Sequence, residues 1–502
     1  MIFRILFGII LGIETCFIST GLAVSDQLLN KLKQTKSCAK CDLTNAHLSG
    51  EEMPGVYLSK ANLLNADFSN ANLTRGYFAH AVLQNASFIG AKLMGAYLTG
   101  VKSEGANFTN ANLAKAIMQD AYLHKVNFQG ANLVGIQLNR SDLKEANFFN
   151  ADLSQSSLRK SNLTGANLTR ANLVGVQLDN ADLTDVNLSE SNMKGVNLTG
   201  TILSRVSMRG INLSEATIQG IRLKQAQFEN AILINTNLSL ADLEEANFAG
   251  ADLSHANLTR TKLNGANLAG ARLENTNLTK TLLIGADLKG TNLTGSLLAF
   301  TNFTGANLSG ALLKNVQLNM AIWSKANLTK ANLSDSNLSR LNLSGQTLVG
   351  AILNGANMEF ANLSKTILIG AHFVGAKLIG TNFTESSLID ANLSKAELRE
   401  TNFSKADLSQ TNFSNTTLFR VKLIGADLRN ANFEDTKLIQ VDLTKATLIQ
   451  ANFSRAQLVQ VNLTGATLSQ VNWDNTKLEN TLWIDGKRCK KGSVAQCLQY
   501  SR

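Results

Sequence analysis

Four cysteines are the residues of this chain most able to do chemistry. Cys38 and Cys41 form a C-x-x-C pair near one end of the sequence, and Cys489 and Cys497 form a second close pair near the other. Closely spaced thiols can form a disulfide, act as a redox site or supply half of a tetrahedral zinc site. Which of these applies depends on the elements that hold the two pairs.

A five-residue period organises the sequence between the two pairs. From Leu43 to Trp483, every residue whose number ends in 3 or 8 is Leu, Phe, Met, Ile or Trp, with Ser103 as the one polar exception. A small residue usually stands two positions earlier and Asn or Asp one position earlier, as in Ala-Asn-Leu over 131–133. Neither a helix nor an unbroken strand has this period.

The period predicts a solenoid with four sides. Residues two apart share a face of a short strand, and the two residues that follow can turn a corner, so the chain winds with Leu and Ala inside. Unusual substitutions recur every twenty residues, which indicates four units per coil. We expect aromatic side chains that recur in this way to stack along the axis. Two inward series are Phe68, Phe88, Phe108, Phe128 and Phe148, and Phe413, Phe433, Phe453 and Trp473. An outward series is Tyr57, Tyr77 and Tyr97.

The repeated Ala-(Asn/Asp)-Leu-X-X unit resembles the pentapeptide-repeat family over residues 43–483. The resemblance implies an all-β fold, a right-handed quadrilateral parallel β-helix. About 22 coils at a strand spacing of roughly 4.8 Å would give a rod on the order of 105 Å long. Ser103 leaves one inward position of the pattern in doubt.

Residues 1–25 are predicted to be a signal peptide. Arg4 is followed by an apolar run over residues 5–13 and by small residues at the −3 and −1 sites of a cut before Asp26. Export would place the protein in the periplasm or outside a bacterial cell, or in the thylakoid lumen of a photosynthetic source. Glu14, just after the apolar run, leaves a buried N-terminal segment as the alternative.

Both ends of the predicted rod carry a cap. The N-terminal cap is residues 26–42, which contain the C-x-x-C pair and an amphipathic stretch over 26–35 that is predicted to be a short helix. The C-terminal cap or tail is residues 484–502, which contain the second cysteine pair. In an exported chain we expect disulfides Cys38–Cys41 and Cys489–Cys497. Free or redox-active thiols, and a metal shared between molecules, are the alternatives. No cofactor or metal site is predicted within one molecule.

No catalytic residue is predicted, and the chain is interpreted as not being an enzyme. Carboxylate pairs such as Glu51-Glu52 and Glu244-Glu245 fall at solvated positions, and no insertion in the repeat could build the wall of a groove. The histidines occupy five different columns of the twenty-residue coil, so most should be solitary surface groups: they are His47, His80, His124, His255 and His372.

The distribution of charge argues against a nucleic-acid partner. The chain has a net charge of +10, but residues 1–42 contribute +2 and residues 484–502 contribute +4, so the repeats carry only +4. Some members of the family resemble duplex DNA in shape and negative charge and bind DNA gyrase. A nearly neutral, exported rod does not fit that mechanism.

One candidate partner surface is visible in the sequence. Ile379, Phe419, Ile439 and Val459 follow the inward residue in a single twenty-residue column, and Ile369, Ile389 and Ile449 lie in the column two sides away. Apolar rows on a polar solenoid indicate contact with a protein partner or a second copy; drift at a tolerant corner is the alternative.

The sequence therefore predicts a non-enzymatic, exported scaffold that presents the faces of a long rod, without a membrane span once the signal peptide is removed. A secreted effector or a cell-surface-binding protein is the alternative interpretation. A gyrase-binding DNA mimic and a β-helix enzyme fit the sequence less well.

Overall fold

The five-residue unit folds in the same way throughout the computed structural model, which describes residues 24–490 and 492–498. The residue before nearly every inward residue forms a parallel bridge with the residue twenty positions on, as Asn107 does with Asn127. At most corners the inward carbonyl accepts a hydrogen bond from the N–H three residues on, as that of Leu43 does from Ala46 N–H at 3.0 Å. The second corner residue has positive φ, 59° at Asn45, as a type II turn requires. The predicted four-sided β-helix is thus confirmed.

Asparagine and aspartate precede the inward residue because their side chains complete the turn. The Asn147 Oδ1 atom accepts the backbone N–H of Phe149 at 3.1 Å, and its amide donates to Asn127 Oδ1 on the preceding coil at 3.0 Å. Such Asx hydrogen bonds satisfy donors that a strand would leave unpaired. One side chain therefore stabilises both its own corner and the stacking of two coils.

The core is a continuous column of inward side chains. Rings twenty residues apart stack, with centroids 4.7 Å apart for Phe88 and Phe108 and 4.6 Å for Phe433 and Phe453. The remaining rings of the two inward series stack in the same manner, at 4.8 to 5.3 Å. Outside the core, Tyr77 and Tyr97 stack at 4.6 Å as expected, but the ring of Tyr57 is tilted by 46° to that of Tyr77 and does not stack on it.

Buried hydroxyl groups replace some of the small inward residues without losing hydrogen bonds. Thr281 Oγ1 donates to the carbonyl of Leu258 on the preceding coil at 2.7 Å, and Thr301 Oγ1 donates to that of Leu278 at 2.9 Å. Because these two hydroxyls have partners, their burial is tolerated. These side-chain hydrogen bonds join one coil to the next.

One helix and six short strands supplement the single-residue bridges. They are α1 Asp26–Thr35, β1 Glu397–Arg399, β2 Thr417–Phe419, β3 Lys437–Ile439, β4 Gln457–Val459, β5 Lys477–Glu479 and β6 Ser493–Val494. The helix α1 has Ser25 as its N-cap, whose Oγ accepts a hydrogen bond from Leu28 N–H at 3.3 Å, and it buries Leu32 against the first coil. Strands β1 to β5 pair in parallel on one face, and β6 pairs antiparallel with β5. Over the part of the chain that the structure describes, no helix has the length and hydropathy of a bilayer span.

The ladder between coils is interrupted at three points. Within the described residues, no bridge joins Gln177 to Asn197, Ile202 to Arg222 or Ile322 to Asn342, although the members of each pair are twenty residues apart. Between Ile202 and Arg222 the coils part around a cavity of about 590 Å³, lined by residues 199–205 and by residues 219–222 with Lys224. The last two interruptions lie in one column of the coil, and the first lies in the neighbouring column.

Candidate functional site

The candidate partner surface predicted from the sequence lies largely on the parallel strands near the C-terminal end. The register places Phe419, Ile439 and Val459 directly above one another, one from each of β2, β3 and β4. Arg399 occupies the same column one coil before Phe419, so it separates Ile379 from the other three. The structure thus brings three of the four residues together.

This row is half-buried rather than fully exposed. The guanidinium carbon of Arg399 lies 5.3 Å from the centroid of the Phe419 ring, and that of Arg420 lies 4.9 Å from it. Such cation–π contacts cover the aromatic face. A shallow cavity of about 350 Å³ adjoins it, lined by Phe419, Thr417 and strand β1.

The cysteines are paired at both ends of the rod. Cys38 and Cys41 form a disulfide at the first coil, with Cα atoms 5.5 Å apart, and Cys489 and Cys497 form one in the C-terminal cap, with Cα atoms 5.0 Å apart. The second bridge ties the segment containing β6 to the last coil, where Cys489 N–H donates to the Thr481 carbonyl at 2.9 Å. The predicted signal peptide lies almost wholly outside the described residues.

His124 is not a solitary histidine. Its Nδ1 atom lies 3.5 Å from Glu104 and its Nε2 atom 3.3 Å from Glu145, which also lies 3.8 Å from Lys125. The two carboxylates and Lys125 are exposed at this corner, and the His124 side chain is 36% exposed. The described residues contain no group of His, Cys, Asp or Glu side chains arranged to hold a metal ion.

Arginine–aspartate pairs join successive coils at several corners. Arg205 donates two hydrogen bonds to Asp185, each 2.6 Å long, and this bonding lowers the pKa of the Asp185 carboxyl and raises that of the Arg205 guanidinium. Arg140 and Asp120 are paired in the same way, and the pKa of Asp120 is lowered too. These ladders are exposed, so they contribute little to stability.

A second apolar row, which the sequence analysis did not identify, lies at the second corner position. Large apolar residues occupy this position only four times in the repeats, and all four fall in one of the four corner columns. We call this set the apolar corner. Its members and their exposed fractions are Leu240 at 51%, Phe300 at 47%, Met320 at 69% and Phe360 at 54%.

The apolar corner works against the stability of the fold. Phe300 and Met320 have φ values of 60° and 58°, a region in which a side chain costs about 1–2 kcal/mol and which glycine or asparagine usually fills. Being exposed, these side chains gain little by burial. Phe360 is a partial exception because its ring covers Gly380, where a Cβ atom would lie 2.6 Å from Phe360 Cδ1.

Two further exposed side chains extend the apolar corner on either side. Leu297 precedes Phe300 on the same coil, and Ile322 follows Met320 on the next; each is about half exposed. The signal that could have revealed the patch is the side-chain type at the second corner position, read at intervals of twenty residues.

Comparison with known protein families identifies the repeat. The family described as pentapeptide repeats (8 copies) matches residues 37–75 and 146–465, and a second, described as a pentapeptide repeat region, matches residues 71–148. The matched segments together cover most of the chain. No curated protein sequence matches the chain significantly.

Among solved structures, the chain is similar to HetL, a pentapeptide repeat protein from the cyanobacterium Nostoc involved in heterocyst differentiation regulation. The identity is 27%, the match covers 54% of this chain and 92% of HetL, and the TM-score is 0.18. A pentapeptide repeat protein from the Arabidopsis thaliana thylakoid lumen is 30% identical over 22% of this chain and 64% of its own, with a TM-score of 0.11. QnrB1, a plasmid-mediated fluoroquinolone resistance protein, is 17% identical over 38% of this chain and 92% of its own, with a TM-score of 0.20.

Proposed function

The chain belongs to the pentapeptide-repeat family, and on that premise we propose that it is a non-enzymatic, exported scaffold that presents the faces of a long rod to a protein partner. The observation that carries the proposal is the pairing of all four cysteines of the predicted mature chain, one pair at each end. Disulfides persist in oxidising compartments, and each bridge here holds an end of the solenoid that has no further coil to cover it.

The placement of ionisable side chains supports a role in binding rather than in catalysis. The one histidine with two carboxylate neighbours, His124, lies at a corner where the carboxylates are more than half exposed, so water has access to the group. Catalytic groups gain most of their effect in enclosed sites of low dielectric constant. A secreted effector or cell-surface-binding protein is the second form that such a scaffold could take.

The proposed export predicts a processed N-terminus and oxidised cysteines. Mass spectrometry of the protein from its native host, fractionated and kept non-reduced, should find disulfides Cys38–Cys41 and Cys489–Cys497 outside the cytoplasm. A chain that begins at Met1 with free thiols would refute export and direct the search to cytoplasmic partners, including gyrase.

The same spectra would locate the cut. Cleavage before Asp26 removes Ser25, the N-cap of α1, and replaces it with a charged amino terminus, which a helix N-terminus disfavours. Cleavage after Ala23 also follows a small-residue pair, Gly21 and Ala23, and keeps the cap. A mature chain starting at Val24 or at Asp26 distinguishes the two.

We propose the row of Phe419, Ile439 and Val459 as the protein-binding surface. Phe419→Glu with Ile439→Glu should abolish capture of a partner or change the oligomeric state. Ile424→Glu, an exposed isoleucine in another column, is the matched control. Unchanged partners and oligomeric state in the double variant would remove this surface from consideration.

A further inference from the structure

We propose that the apolar corner and the cations between its members form a binding site for an anionic lipid surface. Between Leu240 and Phe360, the same corner column also carries basic residues, so that apolar and cationic side chains share one straight edge. The cations are Arg260, Lys280 and Arg340. The proposal deepens the scaffold function by naming a partner for one edge of the rod, but it does not depend on where the chain is cut.

The charge of this segment is uncompensated, unlike that of two arginines elsewhere in the same column. Arg140 pairs with Asp120 at 2.7 Å, and Arg420 lies 3.9 Å from Glu400. Between Leu240 and Phe360, by contrast, none of the three corner cations forms an ion pair with another described residue. Lys280 instead lies 5.7 Å from the centroid of the Phe300 ring, and Arg340 lies 5.5 Å from that of Phe360. The edge therefore complements a partner that is both apolar and negatively charged.

A shallow cavity of about 390 Å³ lies between the cations. Arg260 and Lys280 line it together with Leu240 and the hydroxyl-bearing residues Ser239, Thr259 and Thr279. Guanidinium, ammonium and hydroxyl groups are the donors that bind phosphate oxygens. A lipid headgroup could occupy this space while Phe300 and Met320 enter the layer of acyl chains beside it.

The shape of the edge favours a lipid surface over a protein. The apolar corner spans about six coil steps, roughly 29 Å, along a straight convex ridge. To bind a protein, a convex ridge needs a partner with a matching groove. To bind a membrane, it needs only to enter the fluid interface in part, where apolar and basic side chains are bound together. Pairing of this edge with the same edge of a second copy is disfavoured. If the two edges run antiparallel and Phe300 of each copy meets Phe300 of the other, Arg260 of one copy faces Arg340 of the other and the like charges repel.

The strain at the corner provides a test in which binding and stability change in opposite directions. In Phe300→Gly with Met320→Gly, glycine accepts the left-handed backbone, so the unfolding midpoint should stay the same or rise. Binding to vesicles of phosphatidylcholine containing phosphatidylglycerol, measured by co-sedimentation of the purified chain, should fall about tenfold or more. Asn275→Gly with Asn315→Gly, at a different corner of nearby coils, should bind as the wild type does.

A second variant separates the electrostatic contribution. In Arg260→Gln with Lys280→Gln and Arg340→Gln, binding to the anionic vesicles should fall to the level seen with phosphatidylcholine alone, and salt should no longer weaken it. Absence of wild-type binding to anionic vesicles, or equal binding by the glycine variant, overturns the proposal. Cross-linking of an acidic protein through this corner, without vesicle binding, would assign the edge to that protein instead. A precursor found uncut would refute export while leaving the vesicle result intact.

Discussion

The indole of Trp323 stacks on the ring of Phe303, with centroids 4.5 Å apart, and its buried Nε1 atom has no hydrogen-bond partner among the described residues. Trp323 is the largest fully buried side chain of the described core. The missing bridge between Ile322 and Asn342 lies directly beside it. An inward slot that holds leucine on most coils here holds tryptophan, and the ladder is interrupted next to it.

Replacement of this tryptophan should therefore repair the ladder. Phenylalanine in Trp323→Phe retains the stack on Phe303 and removes the unpaired N–H group, so we expect the free energy of unfolding to rise by about 1 kcal/mol. Hydrogen exchange at the backbone N–H groups of Asn342 and of residue 323 should slow, because these are the donors that the interrupted ladder leaves without their usual carbonyl partners. Trp473→Phe, near the rod's end, serves as the control; a loss of more than about 2 kcal/mol in Trp323→Phe would show instead that the indole is well packed.

Ser103 provides a second test of buried polar groups. Its hydroxyl is fully buried without a partner, so Ser103→Ala should stabilise the protein by about 1 kcal/mol. Ser141 is equally buried, but its Oγ donates to the Met118 carbonyl at 2.8 Å and accepts from Ala121 N–H at 3.2 Å. Ser141→Ala should therefore destabilise by a similar amount in the same denaturant titration. Equal effects of the two changes would contradict this account.

Stacked rings should be coupled only to their immediate neighbours. A double-mutant cycle of Phe88→Leu and Phe108→Leu, whose rings stack at 4.7 Å, should give a coupling of about 0.5–1.5 kcal/mol in chemical unfolding. The effects of Phe88→Leu and Phe148→Leu should be additive, because the rings of Phe108 and Phe128 lie between these two rings. Strong coupling in the second cycle would mean that the column behaves as one rigid unit.

The corner pairs predict a weak dependence of stability on acid pH. Hydrogen bonds from Arg205 hold the pKa of Asp185 below its ordinary value of 3.8, so the pair's contribution is present above that value and is lost as the pH falls through the lowered pKa. In Arg205→Gln the Asp185 carboxyl should titrate closer to 3.8 by NMR, whereas Arg140→Gln should leave it unchanged. An unaltered Asp185 titration in Arg205→Gln would argue that the pair does not form in solution.

The register of the repeat allowed the fold to be predicted almost completely. Each coil repeats the same local rule, so the position of Leu43 determines which face every later residue occupies, and the cap helix follows from the apolar spacing of Leu28, Leu29 and Leu32. The interruptions beside Ile202 and Ile322 were not predictable in this way, because they depend on how whole side chains fit between coils.

The surface was harder to predict than the fold. Phe419 belongs to an apolar column in the sequence, yet Arg399 and Arg420 cover its ring, which only the paths of long side chains could reveal. Met320 and Phe300 belong to a column that can be read from the sequence, but their exposed fractions and left-handed backbone are seen only in the structure.

The ladder interruptions give the rod a preferred direction of bending. All three lie on the two sides of the coil that meet at the apolar corner, whereas the ladders of the other two sides are unbroken through the described repeats. The interruptions beside Ile202 and Ile322 are about six coils, roughly 29 Å, apart. A beam whose weak points lie on one side bends there first under load. Bound along the apolar corner, the rod could curve to follow a surface that is not flat.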